Sequence, residues 1–123
     1  MKKFNVEEYK SEAEIIRQTA EQVILDFERF GMQIQFSGHT HFAYQELSLQ
    51  LCEHLEQLLI FNTEKLMALL YQVDIRQDTI AHAAKSHPDW THTEVLAELV
   101  IHRELKKVVI RKYIKENPDW INE

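Results

Sequence analysis

Two glycines and two prolines are all that 123 residues contain. That shortage excludes the turn-rich all-β sandwiches and barrels, whose many chain reversals need residues of special backbone geometry. Cys52 is the single cysteine, so an intramolecular disulfide and any C-x-x-C metal or redox motif are excluded. Its setting, LQLCEHL, is a helix face on which a cysteine acts as a small inert hydrophobe. No run approaches the 18 or more apolar residues of a membrane span, and the opening MKKFNVEEYKSEAE places acids where a signal peptide needs its apolar stretch. A cytoplasmic protein is expected. Missing as well are H-E-x-x-H, a phosphate-cradling glycine loop, G-x-S-x-G and any Glu-x-x-His pair of the ferritin-like bundles. Enzymes built on those constellations are excluded, whereas an enzyme whose site is assembled from scattered residues stays open.

What is present is ordinary for a globular chain: 45% hydrophobic and 28% charged residues, in a length that makes one domain, 1–123. The net charge of −6 is unevenly spread. Residues 1–62 carry five Lys/Arg against ten Asp/Glu, while residues 63–123 carry nine against ten. Six of those nine cations, Arg103, Lys106, Lys107, Arg111, Lys112 and Lys115, fall in one stretch. Such a stripe can track phosphates, but the chain is acidic, aromatic interleaving is confined to Tyr113, and the acids of the first helix are a ready internal counterpart. Nucleic acid is therefore not the expected partner.

Apolar periodicity predicts an all-α bundle of about five helices. Tyr9, Ala13, Ile16, Ala20, Val23, Phe27 and Phe30 alternate by four and three, the stripe of a long first helix. Asn5 with Glu8 and Ser11 with Glu14 both offer a capping box for its start; Val6 extends the stripe and favours Asn5. Gly31 ends it. Tyr44, Leu47, Leu51, Leu55 and Leu58 mark a second helix, closed by Asn62–Thr63, and Leu66, Met67, Leu69, Leu70 and Val73 a third. Asp74 with Gln77 reads as the cap of a fourth helix that Pro88 stops, and Thr91 with Glu94 as the cap of a fifth that Pro118 bounds. The last two stops share the frame I-x4-K-x2-P-D-W, ending on Trp90 and Trp120.

Between the first two helices, Met32, Ile34 and Phe36 alternate with Gln33 and Gln35, the period of an extended segment over 32–36. It either lies flat on the bundle or offers an edge to another molecule, so Met32, Ile34 and Phe36, with Trp120 near the end, are candidate interaction residues. The following SGHTHF puts His39 and His41 two residues apart, with Glu46 five further on. His39, His41 and Glu46 form H-x-H-x4-E, similar to the metal motif of the cupins and suited to zinc or another divalent ion, with His54 as a possible fourth ligand. Glu53 stands where the cupin motif has its trailing glycine, and the flanks are helical, so the alternative is a plain surface loop.

The fifth helix is apolar around nearly its whole circumference, from Leu96 to Ile114, so it is either central in its own bundle or shared between two chains. That points to a homo-oligomer or another protein partner. Asp74 and Arg103, each set among apolar residues, are expected to pair near the core. The segments FGMQIQFSG, LLYQVDI and LVIHRELKKVVIR resemble those of small all-helical bacterial proteins of this length. The resemblance implies the helical fold and a bacterial cytoplasm, and brings no activity with it. The function expected is a non-catalytic, self-associating protein-interaction domain, with divalent-metal binding as the alternative.

Overall fold

The computed structural model describes residues 5–119, of which 76% are helical, with no strand among them. Five helices follow one another: α1 Ala13–Glu28, α2 Ala43–Phe61, α3 Thr63–Val73, α4 Gln77–Ser86 and α5 His92–Glu116. Single 3-10 turns stand at Val6–Glu8 and Thr40–Phe42. No described helix is long and apolar enough to cross a membrane.

At about 37 Å, α5 is the axis of the fold. Its N-cap is the predicted capping box: Thr91 Oγ1 accepts from the Glu94 amide and Glu94 accepts from the Thr91 amide. All four other helices pack against it. Its N-terminal half, with Leu96, Ala97, Val100 and Ile101, joins the main core of α1, α2 and α3. Its C-terminal half, with Leu105, Val108, Val109 and Tyr113, forms a second cluster with Ile15 and Tyr9. The all-round apolar pattern therefore reflects a central position within one chain.

The first helix differs from expectation. Asn5 does cap, accepting from the Glu7 amide at 3.0 Å, but it caps only the 3-10 turn. The chain breaks over residues 9–12, and α1 starts after Glu12, whose backbone is extended. On this bent path Tyr9 and Val6 reach the second cluster, with Lys112 Nζ 5.7 Å from the Tyr9 ring centre and 2.6 Å from Glu12. Burial also shifts around the helix, for Ile15 is fully buried and Ala13 exposed.

Two helices end in the same motif. After α1, Gly31 takes φ 76° and Met32 donates its amide back to the Phe27 carbonyl. After α3, Asp74 takes φ 69° and Ile75 donates back to Leu70. A left-handed residue followed by a buried apolar one closes both helices. Asp74 is thus the terminator of α3 and not the cap of α4, which begins after Arg76. The two proline-bounded stops also match: His87 and Asn117 share φ near −130° and ψ 67–68°, and each donates its amide to the carbonyl four residues back.

Segment 32–36 lies flat on the bundle. Met32 and Ile34 are core residues, Phe36 packs half-buried beside them, and Gln33 and Gln35 face outward. Its outward backbone groups are met by side chains of α2. Gln50 accepts from the Gln35 amide at 2.8 Å and donates to its carbonyl at 2.7 Å. His54 Nε2 lies 2.9 Å from the Gln33 carbonyl, and Glu46 accepts from the Ser37 amide at 3.0 Å. Four residues of helix rise about 6.0 Å and two residues of extended chain about 6.6 Å, so Glu46, Gln50 and His54 stay in register with Ser37, Gln35 and Gln33. The helix serves as a side-chain strand partner. Replacing Gln50 with Ala removes both bonds at Gln35; because the site is wet, denaturation should register a loss of about 1 kcal/mol, with faster proteolysis confined to 32–38. The outward-facing Gln45→Ala should change neither.

Candidate functional site

The same ladder decides the fate of the histidine motif. Glu46 is held by the Ser37 amide and hydroxyl, and His54 by Gln33, while His39 and His41 stand exposed on the turn before α2. His41 packs edge-on against Phe42, with ring centres 4.8 Å apart. Among the described residues no three His, Cys, Asp or Glu side chains converge to hold a metal ion. The three side chains of the H-x-H-x4-E spacing do not converge in this structure, where the Glu46 carboxylate accepts from the Ser37 amide and hydroxyl. Of the candidate interaction residues, the Met32 and Ile34 side chains are buried, Phe36 is half-buried, and Trp120 lies outside the described residues. Burial pushes the half-buried Cys52 thiol above its usual range, the direction opposite to that of a reactive thiolate.

Asp74 and Arg103 do meet, Nη2 to Oδ2 at 2.7 Å. The pair is not buried: the Asp74 side chain is 64% exposed and that of Arg103 29%. The left-handed turn that ends α3 carries Asp74 outward to the surface, so the pair lies at the edge of the bundle.

The buried ionic group is elsewhere. Glu104 is fully enclosed at the seam between the two core clusters, facing Asp26 of α1, itself 3% exposed. No well-aligned hydrogen bond reaches either Glu104 oxygen, although Lys107 Nζ stands 3.1 Å from Oε1. Burial, then the hydrogen-bonding and negative charge of Asp26, push the Glu104 carboxyl up to about 8, against the opposing pull of Lys107. A carboxyl enclosed opposite another carboxyl favours its protonated form, since both cannot ionise cheaply. Asp26 takes further support from Gln22 Nε2 at 3.2 Å and Arg29 at 3.8 Å.

Two surface features remain. Of the eight large hydrophobic side chains that are exposed among the described residues, five, Leu49, Ile60, Phe61, Met67 and Tyr71, belong to α2 and α3, and Phe42 adjoins α2. Phe42, Leu49, Glu53 and Ile60 recur along one outward stripe of α2, and Glu64, Met67 and Tyr71 along the outer face of α3, while the Glu56 carboxylate accepts from buried Thr93 of α5. Helix α2 contains no lysine or arginine. The face is apolar and acidic. The second feature is a cleft of about 690 Å³ between α4 and α5. At its rim Trp90 stacks on His87, 3.8 Å apart and 11° from parallel. Leu49 and Ile60 could have been noticed in the sequence, since they fall off the Leu47–Leu58 stripe; the cleft could not, because it depends on how α4 sits.

No family model matches the chain, and neither a curated protein nor a solved structure shows significant similarity to it.

The Glu104 carboxyl gives a pH dependence of definite sign. Unfolded, it releases its proton near 4.5; folded, it keeps the proton up to about 8. The folded state binds more protons in that window, so stability falls as pH rises through it, by an amount on the order of a few kcal/mol. Urea titrations from pH 5 to 8 should show the fall, and Glu104→Gln should flatten it. For the surface pair, a double-mutant cycle of Asp74→Asn with Arg103→Met should give a coupling below about 1 kcal/mol, against the 3 to 5 typical of breaking a buried pair. Asp74→Gly should be near neutral, because relief of the left-handed conformation offsets the lost contact.

Proposed function

We propose that this protein is a non-catalytic helical interaction domain whose contact surface is the outer face of α2 and α3. The observation that carries the reading is the concentration there of exposed Leu49, Ile60, Phe61, Met67 and Tyr71, the last 87% exposed. Clustered large apolar residues on an otherwise polar surface mark a docking site. Aromatic and methionine side chains are also the residues enriched in interface cores.

The chemistry of the face favours a particular occupant. Glu53 and Glu64 flank the apolar residues, and no cation of α2 offsets them. A second copy laid face to face would set acids against acids. An amphipathic helix of another protein, apolar on one side with lysines or arginines at its margins, complements both properties. Self-association drew its main argument from the all-round apolar α5, and that argument lapses once α5 is packed by α1, α2, α3 and α4. Catalysis has no comparable support, since no hydrogen-bonded nucleophile and base line the described clefts.

A photo-crosslinking residue placed at position 60 or 71 should capture one recurrent partner through a basic amphipathic helix. The same residue at position 17, exposed on α1, should not, and Leu49→Ser with Phe61→Ser should abolish capture without changing thermal stability by more than a few degrees. Crosslinks only to a second copy, with a dimer in sedimentation that Phe61→Ser dissolves, would transfer the reading to homodimerisation. Equal capture from positions 17 and 71 would end it.

A further inference from the structure

Helix α4 has no buried residue and packs chiefly on α5, with Thr79 and half-buried Ala83 lining the 690 Å³ cleft. That volume lies within the roughly 300 to 1,000 Å³ range of small-molecule sites. The cleft is long and its two ends differ. Val95 and Lys106 both line it, eleven residues apart on α5, a span of about 16 Å. Toward the N-terminus of α5 the lining is apolar and aromatic, with Trp90 stacked on His87 beside Val95, Leu99 and Ala83. Toward the other end stand Arg103, Lys106 and Arg76.

The ionic pairing at the cationic end is incomplete. Arg103 is matched by Asp74 at 2.7 Å and Arg76 by Asp78 at 3.3 Å. Lys106 has no acidic partner among the described residues, although Lys107 and Lys112 of the same helix each have one. His102, one turn from Lys106 on the same cleft wall, adds a second polar group without a contact of its own. Glu98, the unpaired acid of the cleft, lies two turns away from Lys106, toward the apolar end. The unpaired charges along the cleft therefore change from negative at Glu98, one turn before His102, to positive at Lys106, one turn after it.

We propose that this cleft binds a small elongated amphipathic anion, its carboxylate or phosphate head at Lys106 and His102 and its hydrocarbon tail under α4 toward Trp90. The unpaired cation at one end selects the sign of the head. The apolar lining and the rim indole accept the tail, and the negative charge of Glu98 disfavours the reverse orientation. This site is separate from the α2–α3 face and does not depend on it.

Decanoate is a suitable probe, with decanol as the neutral counterpart and acetate as the head alone. In a Trp120→Phe background the indole of Trp90 reports on the tail end. Decanoate should give a saturable one-to-one change in Trp90 fluorescence, decanol should bind at least ten-fold more weakly, and acetate should leave the signal unmoved. Lys106→Gln should weaken decanoate at least ten-fold while leaving decanol unchanged. Ala83→Phe, which fills the tail end, should weaken both, and Leu49→Ser on the outer face of α2 should weaken neither. The proposal is overturned by the absence of a saturable response, by equal affinities for decanoate and decanol, by insensitivity to Lys106→Gln, or by a response that Leu49→Ser removes.

Discussion

The arrangement depends on one constraint: α5 carries apolar residues over most of its circumference and must bury them, leaving Glu94, Glu98, His102 and Lys106 as an exposed stripe. Helix α2 and the C-terminal half of α1 cover its first half, while Tyr9, Ile15 and the bent N-terminal path cover its second. Between the two clusters the same helix inserts Glu104, so a buried carboxyl divides the core where an apolar side chain would have joined it. Contacts Glu12–Lys112, Gln22–Arg111 and Asp26–Glu104 run in opposite chain directions and fix α1 antiparallel to α5. Only the first of these joins an acid to a base, since Gln22 is neutral and Asp26 faces another carboxyl.

Covering α5 leaves the extended segment with no strand beside it. Its inward side chains complete the core, but its outward amides and carbonyls need partners, and burial of an unpaired backbone group is costly. Side chains at every fourth position of α2 supply them because the helical and extended repeats nearly coincide over three steps. The same requirement engages Glu46 and His54 with the Ser37 amide and the Gln33 carbonyl. Polar residues in a promising metal spacing thus serve the backbone of a neighbouring segment.

What the bundle does not use is equally informative. Its outer α2–α3 surface keeps large hydrophobics in water, and α4 rests on α5 without burying a single residue. The exposed side chains of the outer face add nothing to the core, and α4 adds only half-buried Ile80 packed against it. One gives a face with a defined charge and shape, the other a cleft with an unmatched lysine, and both follow from how α5 is enclosed.

The helices themselves were legible in the sequence because their signals are local. Thr91 with Glu94, Asn62, Gly31 and the two proline-bounded stops all act within one helical turn, and the structure places each at a helix boundary. The alternation of Met32, Ile34 and Phe36 likewise showed an extended segment with an inward side. Other residues were ambiguous locally. Asp74 has the composition of an N-cap but the conformation of a C-terminal stop, and Met67 shares the apolar character of its stripe yet faces water. The heptad from Tyr9 to Phe30 concealed a break that the docking of Tyr9 on α5 accompanies. Pairings such as Gln50 with Gln35, Glu104 with Asp26, and the opening between α4 and α5 join positions far apart in the chain. Sequence alone determined which stretches are helical and where they stop, since caps and periodicity are short-range. Tertiary structure alone decided which charges are buried, which apolar residues stay outside and where a cleft opens, because those depend on which face of each helix meets its neighbour.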